Sequence, residues 1–256
     1  MMPLDSLMPF LNSAILHGFI VFLRVGAITS MLPGFGEQSV PVRVKLAISL
    51  AFTLILAPAI SVETDGMDLN SIFFIMLTEV LSGLAVGIGL RLFILALQTA
   101  GSIAAQSTSL SQVLGGAAVD PLPAMGYILI VAGMALAALA GLHIKAAHLI
   151  LITYEFLPIG QFVEASQLSE WGVKQVAHAF SLAFTLAAPF SILSVLYNFA
   201  LGAINRAMPQ LMVAFVGAPL ITFGGLALLF VAAPYMLTVW LGAMDRFMAD
   251  PFGIVP

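Results

Sequence analysis

Apolar residues along this chain gather into six long blocks separated by short polar breaks. They run from about Phe10 to Leu32, Val44 to Ile60, Leu69 to Leu97, Ala124 to Leu157, Val176 to Ile204 and Leu211 to Met244. An α-helix rises about 1.5 Å per residue, so about 20 apolar residues cross the hydrocarbon core of a bilayer. All six blocks approach or exceed that length. The last four exceed it, so their helices must tilt, break or project beyond the lipid. The pattern predicts an all-α membrane protein, read as one membrane-embedded domain over residues 1–256 with no separate soluble domain.

Glycine and proline punctuate the blocks. Pro58, Pro189, Pro219 and Pro234 lie within or at the ends of apolar runs. Gly83 and Gly87 form a small-xxx-small step, which lets helix backbones approach closely. A kinked helix frees backbone groups that lipid cannot satisfy, so neighbouring protein must cover them. The breaks differ in character. PGFGEQSVP at Pro33 to Pro41 reads as a compact turn, and Ser61 to Asp68 is acidic. Gly101 to Pro123 reads as a Ser-, Gln-, Gly- and Ala-rich connection without a basic residue. Pro158 to Lys174 is polar and suits a short surface helix carrying Trp171. Asn205 to Gln210 is the last break.

Composition removes whole classes of function. The chain is 61% hydrophobic and 8% charged, with a net charge of −4 and a mean hydropathy of +1.13. A soluble domain carries about 25% charged residues, so an aqueous surface could not be covered. No basic stripe is present, which argues against nucleic-acid binding. The absence of cysteine excludes disulfides, thiolate metal sites and a cysteine nucleophile. Met1 to Met8 holds Asp5 and no Lys or Arg, so a cleavable signal peptide is not expected.

Charges inside apolar blocks are costly and are functional candidates by default. Arg24 lies in the first block, Glu79 and Arg91 in the third, and His143, Lys145 and His148 in the fourth. Glu79 and Arg91 stand about 18 Å apart along a helix and cannot pair on a straight one. Arg24 and Glu79 could pair between helices. Lys145 and His148 could share a helix face; snorkelling or contact with a partner subunit outweighs a proton path for them. No phosphate-binding G-x-x-x-x-G-K-[ST] occurs, His143 and His148 lack zinc-site spacing, and G-x-S-x-G is absent. Neither an enzymatic activity nor a cofactor is expected.

Gln106 to Asp120, QSTSLSQVLGGAAVD, is the most informative polar stretch. It is uncharged until Asp120 and loose at Gly115-Gly116. Such a segment suits a site buried against protein or a water-filled passage better than an exposed linker.

The run LRVGAITSMLPGFGEQSVPVRVKLAISLAF, Leu23 to Phe52, resembles the N-terminal signature of the FliR/SctT family. AGSIAAQSTSLSQVLGGAAVDP at Ala100 to Pro121, FLPIG at Phe156 to Gly160 and NRAMPQLMVAFVGAPLITFGG at Asn205 to Gly225 are similar to later blocks of that family, in the same order. The resemblance implies kinked helical hairpins within a helical, pore-containing export gate of the bacterial inner membrane. It implies assembly with the FliP and FliQ subunits, contact with FlhB, and passage of unfolded flagellar proteins. The missing charge-rich tail looks more like the stand-alone subunit than a fusion to FlhB.

The family's central loop closes the pore. Carried over by position, it covers Leu110, Ser111, Gln112, Val113, Leu114, Gly115, Gly116, Ala117, Ala118, Val119 and Asp120. Arg24, Glu79, Arg91, Lys145 and Arg206 are the candidate buried charges or partner contacts. An injectisome gate subunit is the alternative within the family. A small secondary transporter using Arg24, Glu79, Arg91 and Lys145 ranks behind, because the chain holds no evident internal repeat.

Overall fold

A computed structural model describes residues 4–62, 68–108, 124–162, 164–208 and 213–253. Every regular element among them is helical: α1 (Leu4–Met31), α2 (Val42–Leu56) with a 3₁₀ turn at Ala57–Ala59, α3 (Leu69–Thr108), α4 (Ala124–Leu139), α5 (Leu142–Phe156), α6 (Ala165–Ala207) and α7 (Val213–Ala249). Five segments are long and apolar enough to cross a membrane, or six if α4 and α5 together make one span. The chain is an all-α membrane protein.

Three breaks differ from their sequence expectation. Gly101 to Thr108 continues α3 instead of opening a loop, so α3 reaches 40 residues. Ala, Gln and Ser tolerate helix well enough to extend one that is already nucleated. Residues 165–174, expected as a separate surface helix, form the first turns of the 43-residue α6. Conversely, the fourth apolar block is two helices. Gly141 adopts φ +79°, a left-handed conformation that other residues reach only with strain, and it heads α5.

The chain divides into two compact units, Met1–Leu92 with Ala140–Gln175 and Met244–Pro256, and Phe93–Leu139 with Val176–Ala243. In the first unit α1 is the central helix. Ile20, Val21, Val25 and Ile28 are fully buried along one stripe of it, and so is Leu32 just past its end. The Thr29 hydroxyl meets that of Ser49 on α2 at 2.7 Å. The small-xxx-small step of α3 faces α1. A Cβ on Gly83 would lie 2.6 Å from the Arg24 carbonyl oxygen and 2.7 Å from Ala27 Cβ, and one on Gly87 would crowd Met31 and Ala27. In the second unit, a Cβ on Gly101 of α3 would lie 2.1 Å from Gly126 Cα of α4. Trp240 of α7 is fully buried there and donates its indole N–H to the Phe93 carbonyl at 2.8 Å.

Gly83→Ala should destabilise the chain by about 1–3 kcal/mol, because backbone and Cβ atoms on α1 cannot yield as a flexible side chain could. Gly172→Ala, in open space on α6, should be neutral or stabilise by up to about 1 kcal/mol. Thermal unfolding in detergent distinguishes them; equal midpoints would refute the tight α1–α3 contact.

Candidate functional site

Arg24 and Glu79 are both fully buried and form an ion pair, Arg24 Nη2 to Glu79 Oε1, at 2.8 Å. Nη1 donates to two backbone carbonyls at the end of α5, Thr153 at 3.1 Å and Leu157 at 2.8 Å. The guanidinium carbon lies 4.0 Å from the centroid of the Tyr154 ring. One side chain on α1 thereby ties α3 and α5 together. Arginine suits the position, since its planar donors serve a carboxylate and carbonyls at once. The last carbonyls of a helix carry partial negative charge and favour a cation; that of Thr153 also accepts from the Leu157 N–H at 2.9 Å. Three buried atoms at this node make no hydrogen bond to the described residues: Arg24 Nε, Glu79 Oε2 and the Tyr154 hydroxyl.

The other candidate charges stand elsewhere. Arg91 pairs with Glu37 in the turn between α1 and α2 at 2.5 Å, and so fastens that turn to α3. Lys145 of α5 pairs with Asp245 of α7 at 2.7 Å, with both side chains about one-third exposed. His143 and His148 are exposed. Arg206 is exposed near the end of α6 rather than buried. Leu110 to Asp120 lie outside the described residues. Among the described residues no group of three or more His, Asp or Glu could hold a metal ion.

Beside the ion pair lies an open groove of about 600 Å³ that sequence reasoning missed. Thr78, Leu81, Ser82 and Ala85 line it from α3, at the i, i+3, i+4, i+7 spacing of one helix face. Phe156, Leu157 and Pro158 at the end of α5, with Phe162, line it opposite. Gln161, Glu164, Gln167, Glu170 and Lys174 supply polar groups, and Glu170 pairs with Lys174 at 2.8 Å. Trp171 and Phe252 complete it. Trp171 donates its indole N–H to the Pro251 carbonyl at 2.8 Å, and Phe252 packs on both Phe156 and Trp171. The two features are linked. Glu79 lies between Thr78 and Ser82 on one wall, and Arg24 holds the Leu157 carbonyl on the other.

Removing one member of the pair leaves a buried charge without compensation, so Glu79→Gln and Arg24→Met should each cost about 3–5 kcal/mol. The double variant Arg24→Met/Glu79→Met should recover part of that loss. Unfolding midpoints of the three variants in one detergent test this; a single variant as stable as the parent would refute the desolvated pair.

Comparison with known proteins gives a consistent picture. The family model described as "Bacterial export proteins, family 1" matches residues 15–247. The chain is 34% identical over 232 residues to "Flagellar biosynthetic protein FliR" of Caulobacter vibrioides, covering 89% of this chain and 91% of that one. It is 31% identical over 227 residues to the protein of the same name in Escherichia coli, covering 84% of each. The match to that of Bacillus subtilis is 27% over 215 residues, 78% of this chain and 80% of the other. The matched segment contains Arg24, Glu79, the α5 carbonyls that Arg24 holds and nearly all of the groove. By a family match over most of its length and by relatives above 30% identity, the chain belongs to the FliR/SctT family of bacterial export proteins.

Proposed function

We propose that this chain is a pore-forming structural subunit of a flagellar type III protein export gate in the bacterial inner membrane. In this reading it assembles with the FliP and FliQ subunits and with FlhB, and unfolded flagellar proteins pass through the assembly. Its role is structural rather than catalytic. The relatives' shared name supports the flagellar system over an injectisome.

The carrying observation is the exposed apolar surface along α6. Val176, Phe180, Phe184, Ile192, Val195, Leu196, Phe199 and Ile204 are exposed large hydrophobic residues, Phe199 by 80%. From Val176 to Ile204 they extend about 42 Å along the helix, or about 39 Å across a membrane at the usual tilt of about 20°. The hydrocarbon core is about 30 Å thick. Lipid therefore covers only part of this length, and apolar surface beyond the lipid needs protein against it. That need fits a subunit of a larger assembly better than a lone transporter. Within the assembly, Leu110 to Asp120 are proposed as the closing loop of the pore. Small apolar side chains exclude water by packing, and Gly115 and Gly116 let the loop move aside.

Mild detergent extraction of tagged chain from flagellated cells should recover one copy within a complex containing FliP and FliQ. A monodisperse monomer or dimer that binds a small solute would overturn the reading. Deleting Gln112 to Val119 should raise membrane ion conductance while the complex still assembles. Unchanged conductance in an assembled deletion complex would rule out the closing role of that loop.

A further inference from the structure

We propose that the groove between α3 and the start of α6 is a phospholipid site that holds one acyl chain and prefers a headgroup bearing a primary ammonium. This goes beyond the export-gate reading and does not depend on it.

The groove holds about 600 Å³, within the about 300–1,000 Å³ range of small-molecule sites, and its apolar walls suit a hydrocarbon chain. Leu81 and Ala85, one helical turn apart, give its α3 wall an apolar strip, the proposed track of the hydrocarbon chain. Thr78 bonds its hydroxyl to the Ile75 carbonyl at 2.8 Å, which withdraws that polar group from the track. Phe156 and Phe162 offer apolar surface opposite.

Charge at the polar end selects the headgroup. Glu170 and Lys174 neutralise one another across one helical turn. Glu164 has only a 3.5 Å contact from the Gln167 amide, so the groove carries one net negative charge. A primary ammonium can meet Glu164 while its phosphate accepts from Lys174 and the amides of Gln161 and Gln167. A headgroup with net negative charge meets repulsion from Glu164 instead. A quaternary ammonium keeps the charge but donates no hydrogen bond.

The test uses the full chain in the membrane complex it forms, stripped of lipid in detergent and mixed with phosphatidylethanolamine, phosphatidylglycerol or phosphatidylcholine. Native mass spectrometry reads the lipid retained. Phosphatidylethanolamine should be retained about tenfold better than phosphatidylglycerol, the effect of one moderately screened charge contact, with phosphatidylcholine between them. Glu164→Gln should bring the two extremes within about twofold of each other by removing that contact. Ala85→Phe should abolish retention of all three by filling the track. Because Ala85→Phe could also perturb folding, a phosphatidylethanolamine with a photoreactive acyl chain serves on the unmodified protein. Crosslinks at Leu81, Ala85 or Phe162 support the site. Equal retention of the ethanolamine and glycerol lipids by the parent, crosslinks confined to the outer face of α6, or a partner-protein peptide crosslinked to Ala85 would each overturn it.

Discussion

A full charge taken out of water needs compensation, and Arg24 imposes that condition on the first unit of this protein. Its guanidinium reaches Glu79 on α3 and the closing carbonyls of α5. Neither helix could move away without leaving a charge or a carbonyl unsatisfied in a low-dielectric interior. Apolar packing fixes these helices by shape, and the pair adds a requirement on which groups must meet. Glycine supplies the complementary condition. Gly83 lies one helical turn along α3 from Glu79 and lets the α1 backbone come close enough for Arg24 to reach across.

Two further ion pairs repeat the principle less deeply. Arg91 fastens the Pro33–Pro41 turn through Glu37, and Lys145 joins α5 to the last residues of α7 through Asp245. All three pairs join segments distant in sequence, and all three lie within the first unit. The second unit relies on other means. Its close contacts are glycine against glycine at Gly101 and Gly126, and a buried indole against a carbonyl at Trp240. Both units use close glycine contacts, and the first adds the three ion pairs.

Much of this was legible in the sequence, for identifiable reasons. Helical class and membrane setting follow from block length, and Arg24 and Glu79 stand out because a charge in an apolar block is conspicuous. Their mutual contact was only one option, since residues 55 positions apart carry no local signal of pairing. The acids that meet Arg91 and Lys145 were missed because Glu37 lies in a turn and Asp245 at the end of a block, where a carboxylate attracts no notice. The Thr153 and Leu157 carbonyls are backbone groups, which every residue shares and no residue type advertises. Gly101 to Thr108 differs from its expectation because a Ser-, Gln-, Gly- and Ala-rich run resembles a connection, whereas Ala-Ala-Gln-Ser can continue a helix. The groove was invisible because its walls come from three separated segments. Its one trace was the density of aromatic residues, Phe156, Phe162 and Trp171, beside a polar stretch.

The length of the exposed apolar surface on α6 has a consequence for the life of the molecule before it meets any neighbour. A lone copy in a bilayer can slide, tilt or thin the membrane, yet some of those phenylalanines and valines must rest among headgroups or in water. Solitude is therefore a poorly solvated condition for this chain, and every available relief consists of finding cover. Supply of the chain must then be matched to supply of whatever covers it, since surplus copies would adhere to each other or present a mark for disposal. A surface usually regarded as a place of contact also acts as a counter of copies.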